Sequence, residues 1–295
     1  MYTDMHGQKW YKGNLHTHTT RSDGKVSYED AVMRYKKMGY DFLSITDHWV
    51  TSETVEEENF LLLSGCEYNI QYTESCNEIE REVIIHINGI GFDSPPQLEN
   101  RPALRGQAIV DAVRDAGGIA IINHPEWSRN LVSDIANLRG LSGIEIFNTV
   151  GGSAYEWHYD YSGFHVDQLA LAGLYLPAFA CDDVHFYAGD EGKSFIMLRA
   201  FDLSKKSVMD AIINRHFFAS QGPWLEAQME GRFLKVNCTP VNEIRVYSSH
   251  YGGWHRKGND LTNAEFQLSQ TDTYYRVEVT DKEGNRAFTS PVKIA

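Results

Sequence analysis

A TIM-like α/β barrel followed by a small C-terminal all-β domain is the fold class that the sequence predicts, on three observations. From residue 12 to about 222, short apolar or β-branched runs alternate with stretches of helical spacing, the pattern of successive βα units. Seven such runs occur, enough for a closed barrel. After Gln221-Gly222-Pro223 the runs continue with no helical stretch between them. The expected division therefore falls at residue 222, with the barrel in 1–222 and a β-sandwich-like module in 223–295. A chain of 295 residues has length for both, since one domain averages about 150.

The first run, 13–19, leads to a helix over 27–38. Ser27 caps it, Glu29 and Asp30 put acid in its first turn, Ala31, Val32 and Tyr35 recur at near-helical spacing, and Gly39 stops it. Runs at 41–46, 60–68, 83–92, 118–123, 143–147 and 176–180 are buried strands by their aliphatic and β-branched content. Helical spacing places helices at 104–116, 132–138, 155–172 and 204–214, each bounded by Gly, Pro, Ser or Asp. Tail strands are expected at 225–229, 233–238, 243–249, 265–268 and 274–280. The last alternates inside and outside through Tyr275-Arg276-Val277-Glu278-Val279, and Asp281-Lys282-Glu283-Gly284-Asn285 turns it into a return strand at 286–289.

Acidic residues outnumber basic ones 40 to 27, and a formal charge of −13 has the wrong sign for a duplex nucleic-acid binder or a polybasic membrane docker. No stretch approaches the roughly 18 consecutive apolar residues of a membrane helix. The opening Met-Tyr-Thr-Asp-Met-His has no basic segment before an apolar run, and Cys66, Cys76, Cys181 and Cys238 are too sparse for a disulfide framework. Reduced thiols and a cytoplasmic setting are the expectation. Histidine is the anomaly: several of the 12 stand at the ends of apolar runs.

Six clusters carry that anomaly. In Asn14-Leu15-His16-Thr17-His18 a two-residue spacing on a strand turns both imidazoles to one face. Ile45-Thr46-Asp47-His48 and Gly65-Cys66-Glu67 put polar groups at the ends of two further runs, where barrel enzymes carry their chemistry. His86 lies inside Val83-Ile84-Ile85-His86-Ile87, where an unpaired imidazole is costly. Asn123-His124-Pro125 and Cys181-Asp182-Asp183-Val184-His185 complete the set. Imidazole with carboxylate, and thiols turned away by alternation, suits Zn²⁺, Mn²⁺ or Fe²⁺ better than Mg²⁺ or Ca²⁺. A multinuclear hydrolytic site is the natural reading.

In series, His-x-His-Thr-x-x-Ser-Asp-Gly, Thr-Asp-His, Gly-x-Glu, a strand His, Asn-His-Pro and Asp-x-His resemble the motifs of the PHP (polymerase and histidinol phosphatase) domain, over residues 10–220. The resemblance implies a distorted (β/α)7 barrel with two or three divalent metals at the C-terminal ends of its strands. It implies one metal on His16, His18, Glu67 and Asp183, a second on Glu67, His86 and His124, with Glu67 bridging, and a third on Asp23, His48 and His185. Catalysis would rest on Glu67, Asp183 and His185, through hydroxide bridging two ions, which also clamp a phosphoryl group. Asp182 and Asp47 are expected to orient ligands rather than to bind metal. Ser220-Gln221-Gly222-Pro223 and Arg276-Val277-Glu278-Val279-Thr280-Asp281 resemble the β module of a branch that includes carbamate-hydrolase-like members.

A phosphatase also needs a donor to the non-bridging oxygens, and Arg129, His158 and Lys193, together with Arg21, are the candidates. Trp127, Tyr155, Trp157, Phe186 and Tyr187 are candidates for stacking on a flat leaving group. The reading is a metal-dependent phosphomonoesterase acting on a small organic phosphate. Its alternatives are a carbamate-type esterase or amidase, and a metal-stabilised scaffold whose β module binds a glycan or a partner.

Overall fold

The computed structural model describes residues 2–3, 7–76, 79–152 and 158–294. Their strands form two sheets. The smaller one orders Ala178–Cys181, Gly143–Asn148, Ile119–Ile122, Ile79–Ile90 and Gly65–Cys76. The larger one runs from Val55–Glu57 and Phe60–Leu63 through Phe42–Ser44, Lys9–Asn14, Phe195–Arg199 and Phe217–Ser220. It then passes into the tail strands Arg286–Phe288, Tyr274–Thr280, Phe233–Ser248 and Leu225–Glu230, with Trp254–Gln267 paired beside Phe233–Ser248. Helices Tyr28–Lys37, Gly106–Asp115, Val132–Ala136, Gly163–Leu171 and Lys205–Ile213 lie between strands. The Ser27 hydroxyl accepts from the Asp30 amide, so the first helix starts at the expected cap. Of the helix expected over 155–172, residues 155–157 lie outside the described residues, and the observed helix begins only at Gly163.

Among the described residues these ladders do not close into the expected TIM-like barrel. The chain passes between the sheets at Ser64, and Thr17 bridges Val184, with the His18 amide donating to the Val184 carbonyl at 3.0 Å. Strand direction is the physical reason for the departure. Gly65–Cys76 and Ile79–Ile90 form a direct hairpin, so Ile79–Ile90 runs antiparallel to both neighbours, whereas a TIM barrel is parallel throughout. Phe195–Arg199 is likewise antiparallel to Lys9–Asn14. The first strand ends at Asn14, earlier than the run over 13–19 suggests, because residues 15–19 leave the ladder to form the site.

Phe195–Arg199 and Phe217–Ser220 have no counterpart among the expected strands, and they carry hydrogen bonding across position 222: Ile196 pairs with Gly13, and Ala219 with Phe288. The main core packs Ile85, Ile87, Ile109, Val113, Ile121 and Phe179 between sheets and helices. A second core of Leu225, Leu234, Ile244, Val277 and Val279 incorporates Trp10 and Phe218 from outside the tail. No helix of the described residues is long and apolar enough to cross a membrane.

Arg276 supplies the polar tie between tail and helix Gly163–Leu171. Its fully buried guanidinium donates through Nε and Nη2 to the two Asp167 carboxylate oxygens, both at 2.7 Å, and lies 3.8 Å from the centroid of the Tyr247 ring. Glu278 Oε2 accepts from the Tyr161 hydroxyl at 2.6 Å and lies 3.3 Å from Arg276 Nη1. A buried charge keeps its stability only while its partners remain. Arg276→Ala is therefore expected to cost about 3 kcal/mol in urea unfolding, because it removes the nearest cation from part-buried Asp167 and buried Glu278. A loss below about 1 kcal/mol would contradict this role for Arg276.

Candidate metal centre

Strand ends deliver the site. His16 and His18 follow Lys9–Asn14, and His48 follows Phe42–Ser44; Glu67 lies within Gly65–Cys76 and His86 within Ile79–Ile90; His124 follows Ile119–Ile122, while Asp183 and His185 follow Ala178–Cys181. The nitrogen and oxygen atoms of these residues group into sets able to hold a cation. The sets are His16, His18, Glu67 and Asp183; Glu67, His86 and His124; and His18, Asp23, His48 and His185; His16 and His124 form a fourth with Glu145. All nine residues assigned to metal by the motif series thus meet in one cluster, with His18 facing two sets. No cysteine takes part in these sets among the described residues.

Glu67 is the hub. Its Oε2 lies 3.1 Å from His18 Nε2, 3.2 Å from His48 Nδ1 and 3.3 Å from His16 Nε2, while Oε1 lies 2.9 Å from His86 Nδ1 and 3.4 Å from His124 Nε2. Asp183 Oδ1 is 3.0 Å and 3.1 Å from His16 and His18 Nε2. Yet His16 Nε2, His18 Nε2, His48 Nδ1 and Asp183 Oδ1 are all buried without a hydrogen-bond partner. Atoms this close that fail to pair are aimed at a common point, and buried polar atoms left unpaired are costly. A divalent cation between them removes that cost, and the mixed imidazole and carboxylate donors suit a transition ion.

Protonation shows the same demand for positive charge. Burial opposes ionisation of Glu67, but His16, His86 and His124 hold its carboxyl well below the ordinary range. Burial likewise opposes protonation of His16 and His18. For His16, Asp183, Glu145 and Glu67 overcome it and raise the imidazole well above its usual value; for His18, Asp183 and Glu67 raise it to about 9. Without metal, protons on imidazole neutralise the carboxylates, so a metal ion must displace them.

Around this cluster, Glu145 is the residue that sequence reasoning missed. Its Oε1 accepts from His16 Nδ1 at 2.7 Å, directing Nε2 at the cluster, and its Oε2 accepts from the His124 amide at 2.9 Å and from Asn148 Nδ2 at 3.0 Å. A lone acid in the apolar run Gly143-Ile144-Glu145-Ile146-Phe147 is the signal that could have found it. Asp47 does not touch an imidazole. It accepts from the Thr19 amide, the Thr19 hydroxyl and, at 2.7 Å, the Ser22 hydroxyl, which fixes the turn carrying Asp23. Gly24 lets that turn pass against His18, since a Cβ there would sit 2.5 Å from the His18 carbonyl oxygen.

Asp182 buttresses the loop behind the cluster, accepting from Tyr35 Oη and from the amides of Gly192, Lys193 and Ser194; burial pushes its carboxyl up to about 6. Buried Asp190 accepts from the amides of His185, Phe186 and Ala188, setting the loop that presents His185. Two residues of the cluster occupy the left-handed region, Asp183 at φ 52° and His124 at φ 26°, a local strain of about 1–3 kcal/mol each that the surrounding bonds hold in place.

The cluster floors a cleft of about 230 Å³ walled by Trp127, Val150 and Phe186. None of the expected cations lines it. Arg129 is exposed and donates to Tyr159 Oη, Arg21 lies over the Tyr28 ring, and His158 and Lys193 point to solvent-exposed surface. Spacing along a loop does not fix where a long side chain turns. Of the aromatic candidates, Trp127 and Phe186 line the cleft, the Tyr187 hydroxyl is spent on the His18 carbonyl at 2.6 Å, and Tyr155 and Trp157 lie outside the described residues.

No protein-family model matches the sequence, and no curated protein matches it. Among solved structures, the chain is similar to a two-domain protein from Bacteroides vulgatus described as containing a predicted PHP-like metal-dependent phosphoesterase. That likeness covers 99% of this chain and 98% of the other at a TM-score of 0.53 and 15% identity. This chain has a PHP-like fold. An amidohydrolase from Chromobacterium violaceum, with bound sulfate and no metal, covers 60% of this chain and is itself covered over 89%, at 17% identity and a TM-score of 0.42, too low to support inference. In the PHP-like fold of this chain, five motifs of the series fall on strand ends and loops that build the cluster, and His86 reaches it from within Ile79–Ile90.

Metal loading of chelator-treated protein at pH 7 is expected to release protons, because His16 and His18 are held protonated in the metal-free cluster. Calorimetric titrations in buffers of different ionisation enthalpy read that release, and uptake of metal with none would contradict it. Glu145→Ala is expected to weaken metal binding about 10–100-fold, and Glu145→Gln less, since its oxygen still accepts from His16 while its NH2 faces the His124 amide and Asn148 donors.

Proposed function

We propose that this protein is a metal-dependent hydrolase and that it acts as a phosphomonoesterase on a small organic phosphate. The observation that carries the reading is the set of buried, mutually close but unpaired imidazole and carboxylate atoms around Glu67, open on one side to a cleft. Asp23, His48, Glu67, His86, His124, Asp183 and His185 also line the cleft, so the cluster borders open space that a substrate can enter. Divalent Zn, Mn or Fe held there would supply Lewis acidity and an acidified water.

The chain's own residues then divide the work. Glu67 joins two sets and holds their positions relative to each other. Asp183, fixed by Asn148 Nδ2 at 3.1 Å, presents Oδ1 to His16 and His18. His185 faces the cleft opposite Asp23, its Nδ1 donating to the Asp183 carbonyl at 2.7 Å so that Nε2 stays available. The cleft volume of about 230 Å³ falls below the roughly 300–1,000 Å³ of pockets for drug-sized ligands and favours a small substrate. Residues 1–222 would carry the chemistry, with 223–295 as a supporting module.

One observation favours a second reading, hydrolysis of a carbonyl substrate such as a carbamate. Among the described residues the cleft is walled by Trp127, Val150 and Phe186 and has no Lys or Arg in its lining. A panel of p-nitrophenyl phosphate, nucleotides, sugar phosphates and aryl carbamates, assayed on chelated protein with Mn²⁺ or Zn²⁺ added back, separates the two. Metal-dependent phosphate release is the expected result, and carbamate turnover without phosphate release would overturn the assignment. Asp183→Asn is expected to lower kcat/KM by more than about 100-fold, beyond the loss that follows removal of an outer hydrogen-bond partner.

A further inference from the structure

We propose that a second binding subsite adjoins the metal cleft on the outer face of the Gly65–Cys76 and Ile79–Ile90 hairpin, and that Arg101 there pairs with an anionic group at the far end of the substrate. The proposal rests on the hydrolase reading and extends it to the substrate's shape.

Register locates the subsite. Glu67 pairs with Asn88, Asn69 with His86 and Gln71 with Ile84, and directly paired residues share a face of the sheet. The face that holds Glu67 at the metal cluster therefore continues outward through Asn69 and Gln71, while the other face buries Tyr68, Ile70, Val83 and Ile85 in the core. Exposure rises along the polar face, from buried Glu67 through part-buried Asn69 to exposed Gln71. A pocket of about 370 Å³ lies on this stretch, lined among others by Asn69, Gln71, His86 and Arg101, and His86 also lines the metal cleft. The imidazole of His86 lines both pockets.

The lining is chemically specific. Asn69 Oδ1 is buried without a hydrogen-bond partner, so it offers an acceptor to a hydroxyl or amide of a ligand. Among the described residues lining the two pockets, Arg101 is the one Arg or Lys, and it pairs with no described carboxylate. Strand rise of about 3.3 Å per residue puts Asn69 about 7 Å and Gln71 about 13 Å beyond Glu67. The ligand class that fits is an extended molecule with its scissile group at the metal cluster, a hydrogen-bonding middle, and a carboxylate or phosphate about 7–13 Å away. This also places the missing protein cation beside the cleft rather than in it.

Calorimetric binding of non-hydrolysable phosphonates to metal-loaded protein tests the subsite without turnover. The probes are phenylphosphonate, its 4-(2-carboxyethyl) derivative, the corresponding primary amide, and a phosphate-ended analogue that separates the two anion types. The acid or the phosphate is expected to bind about tenfold more tightly than the amide, the gain one charge-assisted contact supports. Arg101→Gln should erase that gap and leave phenylphosphonate affinity unchanged. Anionic and amide probes that bind the native protein equally, or a gap that survives in Arg101→Gln, would overturn the subsite. Loss of phenylphosphonate binding in both proteins counts instead against the hydrolase reading, because the gap between probes is read separately.

Discussion

A carboxylate with 1% of its surface exposed, Glu67, stands among five imidazoles, and the rest of the structure is arranged around that burial. A charged group out of water is tolerated only when opposite charge is close and its geometry is fixed. Here the compensating nitrogens come from four separate segments, so the charge balance cannot be satisfied locally. It enforces the meeting of both sheets at one point. The strained backbone at Asp183 and His124, and the carboxylates of Glu145, Asp182 and Asp190 behind them, follow from the same requirement, since ligands on loop ends need partners to hold their direction.

The fold meets this need by mixing strand directions. A parallel strand brings its C-terminal end to the cluster and then turns away into a helix. The antiparallel hairpin instead brings Glu67 and His86 past the cluster side by side and carries on, which leaves a polar face running outward from the centre. The same continuity joins the tail: Phe195–Arg199 and Phe217–Ser220 extend the sheet from the first strand into residues 223–294, and Arg276 fastens the far side. Cluster and tail thus share one hydrogen-bonded framework.

The cluster was legible in the sequence because it consists of polar residues where apolar runs end, and burial makes such residues expensive unless they have a use. The same logic applied to Glu145 would have found the residue that orients His16; it sits inside its run rather than at its end, where a strand reading alone does not distinguish it. Loop side chains were not legible. Arg129, Lys193 and Arg21 have the right chemistry, but each ends on exposed surface or over a tyrosine ring, which only tertiary packing decides. Barrel closure was not legible either, because an apolar run records burial and not direction: the runs at 60–68 and 83–92 belong to strands that run antiparallel to each other. Asp47 was placed correctly near the site but acts through Ser22 and Thr19, one hydrogen bond further out than its neighbour His48 suggests.

Function follows from what the cluster lacks as much as from what it holds. Its atoms repel one another unless a cation or protons intervene, its donors are nitrogen and oxygen, and one side stays open to a small cleft. X-ray absorption at the metal edge of protein loaded with Mn²⁺ or Zn²⁺ tests this most directly. The account predicts two or more bound equivalents, a first coordination sphere of nitrogen and oxygen alone, and the outer-sphere scattering of imidazole rings. A sulfur scatterer, or a spectrum without imidazole, would contradict it.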